Sequence, residues 1–158
     1  RPAGPPSAFH HHLPAVLRNV HVTHLIPTPV KEVPALWPKI RPYIVRALTR
    51  GDGWWTEEEL YEYASIGQMA VWQIKDGDRI IGVCMAEVED WPGGKRVATI
   101  ACFSADDGST IDRHLAEVEA WARMKAAHEL QIRGREGWKR RLKPHGYELC
   151  MVTLRKAL

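Results

Sequence analysis

The densest group of side chains suited to binding chemistry lies between Arg133 and Lys143. It holds six basic residues and one acid, Glu136. Guanidinium and ammonium groups clustered on one helix attract phosphate groups. The alternative is a solvated helix face whose Trp138 and Leu142, four residues apart, point inward. We favour this alternative, because cation-rich helix faces are common.

A run of acidic residues forms the opposite kind of surface. A short segment carries four glutamates, Glu57, Glu58, Glu59 and Glu62. This acidic face and the basic helix have complementary charge, so they can pair between subunits. Residues 1–18 contain four prolines and predict an extended arm without regular structure. We therefore expect protein partners or self-association through the arm and the charged helix faces.

The histidines do not predict a metal site. His10, His11 and His12 are consecutive, and consecutive side chains of an extended arm point to opposite sides. His21 and His24 flank a strand without cysteine or carboxylate neighbours. We therefore expect no metal. The chain also has no Gly-x-Ser-x-Gly elbow and no Gly-Lys-Ser/Thr loop, so serine hydrolase and P-loop chemistry have no local support.

The cysteines predict thiols rather than disulfides. Cys84, Cys102 and Cys150 are an odd number without Cys-x-x-Cys spacing, and all three lie in apolar, strand-like runs. We expect them to be buried and reduced, as in a cytosolic-type protein.

Length and composition set the class of protein. The chain has 158 residues, of which 45% are hydrophobic and 26% charged, and a net charge of +3. These values suit one folded domain and exclude a largely disordered chain. The charge is too small to indicate a nucleic-acid partner. Apolar runs such as residues 80–86 are of strand length, so we expect no association with a membrane.

The first half of the chain predicts a strand followed by two helices. The strand covers residues 20–26, and helical spacing of apolar residues then covers residues 31–49. Pro38 and Pro42 are expected to bend or break this helix. Thr56 and Glu59 predict a capping box at the start of a second helix.

The second half predicts a three-stranded meander and then alternating helices and strands. The meander strands are 69–74, 79–89 and 95–104, with a tight turn at Asp76-Gly77. An amphipathic helix carries apolar residues from Ile111 to Met124. A short strand at 130–132, a basic helix over 135–143 and a last strand from Tyr147 to Leu154 follow.

The order β, α, α, β, β, β, α, β, α, β predicts one α/β domain over residues 19–158, with a mixed, mostly antiparallel sheet and helices on both faces. Residues 134–142 read Gly-Arg-Glu-Gly-Trp-Lys-Arg-Arg-Leu, and Gly146-Tyr147 opens the last strand. The order resembles the GNAT (N-acetyltransferase-like) superfamily from Val20 onward. The two motifs are similar to its group encoded by bacteriophages and prophages.

The resemblance implies a candidate acyl-CoA site in the loop after the fourth strand. In active relatives, backbone N–H groups there hold a diphosphate. The matching positions are Ser104, Gly108, Ser109 and Thr110. Asp106 and Asp107 oppose this use, because like charges about 4 Å apart cost on the order of a few kcal/mol. The alternative is that Asp107 or Ser109 caps the helix. We expect no cofactor, or acetyl-CoA if the chain is an enzyme.

The resemblance also implies a general base and a general acid. Glu87 and Glu89 are the candidate bases, since both lie near the end of a central strand, although glutamates there are more often solvated. The usual acid lies five residues before the glycine of the last strand. That place falls near Arg141 or Leu142, and neither side chain supplies a proton.

Two functions are therefore open. The first is a non-catalytic phage-type protein of the GNAT fold, a virion or accessory component found in the host cytoplasm or the virion. The alternative is an acyl-CoA-dependent N-acetyltransferase of unknown acceptor. The missing acid and the acidic loop favour the first. An opening between the fourth and fifth strands, with free N–H groups from Gly108 to Thr110, is expected for the second.

Overall fold

A five-stranded sheet forms the centre of the fold. The computed structural model describes residues 22–51 and 53–158, so the predicted arm at 1–18 and the histidines at 10–12 lie outside the described residues. The strands follow one another in the sheet in chain order, and all neighbours are antiparallel except the parallel pair β4 and β5. They are β1 (Thr23–Pro27), β2 (Ala70–Asp76), β3 (Arg79–Asp90), β4 (Arg96–Ala105) and β5 (Glu129–Ile132). The predicted mixed, mostly antiparallel sheet is confirmed.

Helices cover both faces of the sheet, as predicted. They are α1 (Val33–Arg50), α2 (Glu57–Ser65), α3 (Ser109–Met124) and α4 (Gly137–Leu142), with short 3-10 turns at Val30–Glu32 and Lys143–His145. One apolar core lies between the sheet and the pair α1 and α2, and the other lies between the sheet and the pair α3 and α4. None of these helices, taken over the described residues, is long and apolar enough to cross a membrane.

The start of α2 follows the local sequence signal. The backbone N–H of Glu59 donates to the Thr56 hydroxyl at 3.2 Å, and the backbone N–H of Thr56 donates to the Glu59 carboxylate at 2.9 Å. Two N–H groups that the helix leaves unpaired are thereby satisfied. Arg41 of α1 holds α2 in place through a bidentate salt bridge to Glu57. Its two N–O distances are 2.6 and 3.1 Å.

The expected break in α1 does not occur. Pro38 and Pro42 both lie inside one continuous helix. With Pro34 they are spaced by four residues, so all three share one face, and that face is exposed. The carbonyl groups that lose their helical partner there can bind water instead, which removes the main cost of an internal proline.

The predicted last strand does not form either. Residues 147–158 have no regular structure, and Gly146 before them turns the chain with φ 84°. Strand-forming residues need a neighbouring strand to complete their hydrogen bonds, and the described part of the chain places none beside this segment. Cys150 belongs to it and is exposed, which corrects the expected burial, whereas Cys84 and Cys102 are buried as predicted.

Candidate functional site

The sheet opens between β4 and β5. Their pairing ends where Ile100 lies beside Ile132, although β4 continues to Ala105. At the same point the β3–β4 register skips Ala101, which has no residue opposite it. Such bulges bend a strand and leave backbone groups outside the ladder. Among the described residues, the second half of β4 therefore has no paired strand on the β5 side.

A cleft of about 290 Å³ occupies this opening. Its walls are β4, the residues after β5, the start of α3, α4, and the end of α1 with the loop that follows it. Both sheet faces contribute to it: Trp55 packs with the α1–α2 core, and Phe103, Ile111 and Trp138 pack with the other. The opening predicted for the enzyme is thus present.

The cleft is strongly basic. Five arginines line it, from three separate parts of the chain: Arg46, Arg50, Arg133, Arg135 and Arg141. Asp106 is the one carboxylate among the described residues of the lining, and it lies 3.9 Å from Arg46. Guanidinium groups keep their charge at any relevant pH. The cleft therefore attracts polyanions.

The start of α3 differs from the expected phosphate cradle. The Ser109 N–H donates to the Asp107 carboxylate at 2.9 Å, and the Ser109 hydroxyl donates to the same group at 2.8 Å. The Thr110 N–H donates to the Asp107 carbonyl at 3.0 Å. The two hydrogen bonds from Ser109 hold the pKa of the Asp107 carboxyl below its usual range. The free N–H groups expected for the enzyme are therefore absent at Ser109 and Thr110, and Asp107 caps the helix instead.

Two of the loop residues singled out in the sequence do line the cleft, Ser104 and Gly108. Arg141 lies against Gly108: a Cβ added there would stand 3.0 Å from its Nη1 atom. The guanidinium is held by two contacts of 3.1 Å with Asp112 of α3. A positive group thus lies beside the loop that Asp107 makes negative.

Glu87 is the better placed of the two candidate bases. It lies on β3 directly opposite Thr99 of β4, one of the residues that line the cleft. Burial raises the pKa of Glu87 to about 7, with a further rise from Glu89 and an opposing effect of Arg133. A carboxyl that titrates near neutrality is suited to accepting a proton. The Thr99 hydroxyl is buried and has no hydrogen-bond partner among the described residues.

Glu89 lies apart from this group. It is exposed near the end of β3, and its carboxylate accepts a 3.4 Å hydrogen bond from the Trp91 indole. Its effect on the site is electrostatic, through the raised pKa of Glu87.

Sequence reasoning missed the residues that α1 and the next loop bring to the cleft. Arg46 and Arg50 are distant in sequence from the basic helix, and only the folded chain places them beside it. The guanidinium carbon of Arg133 lies over the Trp54 ring, 4.3 Å from the centre of that ring. The sequence has seven tryptophans, but nothing in it located this pair.

No cluster of three or more metal-binding side chains occurs within residues 22–51 and 53–158. His24 is exposed on β1, and His21 lies outside those residues.

The comparisons with known proteins concern the fold. No protein-family model and no curated protein matches the sequence. A predicted acetyltransferase from Clostridium acetobutylicum, solved with acetyl-CoA, is 14% identical with a TM-score of 0.63 over 86% of this chain and 96% of its own. An aminoglycoside acetyltransferase from an uncultured soil metagenomic sample, solved with sisomicin, is 11% identical with a TM-score of 0.64 over 86% and 96%.

A third solved structure is AAC(6′)-Iy with a bisubstrate analogue of CoA, 12% identical with a TM-score of 0.60 over 87% of this chain and 99% of its own. Each match spans nearly the whole neighbour. At these identities the likeness concerns the fold. The chain has the fold of the GNAT acetyltransferases.

Proposed function

We propose that this chain transfers an acetyl group from acetyl-CoA to an amine. The observation that carries the proposal is the separation of β4 from β5. It creates a cleft that five arginines line. Acetyl-CoA combines a thioester with a diphosphate and a further phosphate, so it needs a long slot with concentrated positive charge. The acetyltransferases with the same fold were solved with acetyl-CoA or a CoA analogue, which supports the choice of donor.

The donor side of the cleft fits the phosphate groups. Arg141 lies against Gly108 where β4 leads into α3, and Arg135 lines the same cleft. Guanidinium groups bind phosphate oxygens in pairs, and a nearby helix start adds to the attraction. Asp107 opposes this arrangement, so the arginines have to outweigh one carboxylate.

The acceptor side is the face covered by α1 and α2. Trp54 and Trp55 line the cleft there. Glu87 lies on β3, the strand next to β4 of the cleft wall. The amine nitrogen attacks the acetyl carbon, so that a C–N bond forms and the C–S bond breaks. Glu87, directly or through one water, takes the proton that the nitrogen loses. The sulfur leaves as a thiolate, which the field of the arginines stabilises.

One observation favours the alternative of a non-catalytic GNAT-fold component. Asp107 occupies the Ser109 N–H and hydroxyl, the groups that a diphosphate would otherwise use. A phage or virion role of such a component stays a prediction. Its distinguishing property is that it binds no acetyl-CoA.

Calorimetric titration with acetyl-CoA tests the proposal. Saturable binding at micromolar concentration, weakened by added salt, is the expected result. Release of the free thiol is then followed with a panel of amines, aminoglycosides among them because a neighbour of the same fold was solved with sisomicin. An absence of binding at millimolar acetyl-CoA would overturn the proposal and favour the non-catalytic role.

A further inference from the structure

A hydroxyl, an imidazole and a carboxylate are joined by two short contacts where the first strand meets α3. The Nε2 atom of His114 lies 2.8 Å from the Thr23 hydroxyl, and its Nδ1 atom lies 2.7 Å from a carboxylate oxygen of Glu117. His114 and Glu117 are three residues apart on α3, so they share one face of the helix. This is the order of nucleophile, base and orienting group in enzymes whose side-chain hydroxyl attacks a carbonyl carbon.

The carboxylate determines the direction of both hydrogen bonds. An ionised carboxylate only accepts, so Nδ1 of His114 donates to Glu117. In a neutral imidazole the other nitrogen, Nε2, then has a free lone pair and accepts the hydrogen bond that the Thr23 hydroxyl donates. His114 is buried, whereas Thr23 is half-buried. The base is therefore withdrawn from water, and the hydroxyl belongs to a residue that solvent reaches.

An apolar pocket of about 290 Å³ lies beside these three groups. Leu25 lines it and lies two residues after Thr23, on the same face of β1, and Glu117 also lines it. Trp72 and Trp121 meet there edge to face, with their ring centres 5.0 Å apart. The rest of the lining is Pro27, Ala120 and Met124. Such a lining favours a hydrocarbon group over a polar one.

This pocket is separate from the cleft between β4 and β5. No described residue lines both of them. Five arginines line the cleft, whereas the described residues that line the pocket include one carboxylate and no basic side chain. A polyanion such as acetyl-CoA is therefore not its ligand. The pocket fits a neutral molecule with an apolar part.

We propose that Thr23, His114 and Glu117 form a second reaction centre, which hydrolyses neutral esters whose apolar acyl group occupies this pocket. The Oγ atom of Thr23 attacks the ester carbonyl carbon while its proton passes to Nε2 of His114. The bond from that carbon to the alcohol oxygen then breaks, and the same proton leaves with the alcohol.

Water completes the reaction at the same two side chains. His114 takes a proton from a water molecule, whose oxygen attacks the acyl carbon. The bond from that carbon to Thr23 breaks, the free acid leaves, and His114 returns the proton to the Thr23 oxygen. Glu117 acts through His114 and is a positioning residue, because it holds the imidazole in the tautomer that accepts the proton.

Hydrolysis of p-nitrophenyl butyrate by the full chain carrying Cys150→Ser tests the proposal. This substitution removes an exposed thiol, which is a nucleophile in its own right. We expect saturable release of p-nitrophenol, at least about 10²-fold slower when Thr23→Val or His114→Gln is added. Thr23→Ser keeps a hydroxyl and should retain the activity. Release that is not saturable, or that neither Thr23→Val nor His114→Gln slows, would overturn the proposal.

His24→Gln is the matched control for the histidine. It removes an exposed imidazole from the residue that follows Thr23 on β1, on the opposite face of the strand. We expect the rate of hydrolysis to stay unchanged. A rate that falls with His24→Gln as much as with His114→Gln would assign the hydrolysis to surface imidazoles and overturn the proposal.

A butyl fluorophosphonate locates the nucleophile without any substitution, so this measurement does not depend on the folding of a variant. Peptide mass spectrometry should find the label on Thr23 of the unsubstituted chain. Glu117→Gln should slow labelling at saturating probe and leave the half-saturating concentration unchanged, and Glu117→Asp should recover part of the rate. A structural role of Glu117 alone would not produce this separation. A label on another side chain, or no label, would overturn the proposal.

Discussion

Glu87 on β3 faces Thr99 on β4 across the ladder, on the side of the sheet that α1 and α2 cover. Burial raises the pKa of this carboxyl to about 7, and the Thr99 hydroxyl beside it is buried without a partner among the described residues. The two groups lie where the pairing of β4 with β5 ends and the basic cleft begins. The protonation state of Glu87 is therefore the variable that links pH to the site.

Replacement of Glu87 by Gln should lower the rate of acetyl transfer. A general base contributes about 10²- to 10⁴-fold, and we expect kcat to fall by at least about 10²-fold. In the wild-type protein, kcat/KM should rise with pH through about 7, because the base must be deprotonated. That limb should be absent from the profile of Glu87→Gln.

Glu89→Gln is the matched control for this measurement. Glu89 is exposed on the same strand, and its charge raises the pKa of Glu87. The Glu89→Gln variant should keep the wild-type rate of acetyl transfer. The rise of its kcat/KM with pH should move to slightly lower pH. A profile of Glu87→Gln that retains the limb would show that another group is the base.

The same carboxyl should make stability depend on pH. Its folded pKa of about 7 is higher than the ordinary value of 4.5, so the folded state binds the proton more tightly. The free energy of unfolding therefore falls as pH rises from about 4.5 to about 7, by up to about 3 kcal/mol. Glu87→Gln removes the charged form, and its stability relative to wild type should be higher at pH 8 than at pH 4. Urea unfolding at the two pH values measures this, and an equal difference at both would contradict it.

The predictions from sequence succeeded where neighbouring residues decide the outcome. The capping box of Thr56 and Glu59 forms as expected, and the turn after Asp76 is made by Gly77 with φ 60°. The predictions failed where the structure of a segment depends on a partner that is distant in sequence. Residues 147–154 have a strand pattern, but a pattern does not supply the second strand that completes its hydrogen bonds.

The candidate site shows the same division. Glu87 was one of two candidate bases, named for their place near the end of a central strand, and the density of basic residues from Arg133 to Lys143 indicated phosphate binding only as the less favoured interpretation. Arg46 and Arg50 reach the cleft only because α1 packs across the sheet. The residue types offered Asp107 as a possible cap of α3. The hydrogen bond from the Ser109 N–H to the Asp107 carboxylate shows that it is the cap.

The arginines that line the cleft should determine acetyl-CoA affinity. Arg135→Gln removes one charge from the lining, whereas Lys139→Gln removes one from α4 at a residue outside it. We expect Arg135→Gln to raise the Kd several-fold and to reduce its dependence on salt, and Lys139→Gln to change neither. Calorimetry at two salt concentrations measures both. Equal effects of the two variants would mean that only the net charge matters.

A buried histidine joins the first strand to α3. His114 is 4% exposed, and its Nε2 lies 2.8 Å from the Thr23 hydroxyl while its Nδ1 lies 2.7 Å from Glu117. Thr23→Val keeps the shape of the side chain but leaves the imidazole nitrogen without its partner. A buried polar group left unpaired costs about 1–3 kcal/mol, so the free energy of unfolding should fall by that amount.

Thr23→Ser is the matched control, because it keeps the hydroxyl and removes only a methyl group from a half-buried position. We expect its loss of stability to be well below that of Thr23→Val. Urea unfolding at pH 8 compares the two variants. Equal losses would show that packing of β1 against α3, rather than the hydrogen bond to His114, holds the edge of the sheet. A loss confined to Thr23→Val would assign the attachment of β1 to that bond.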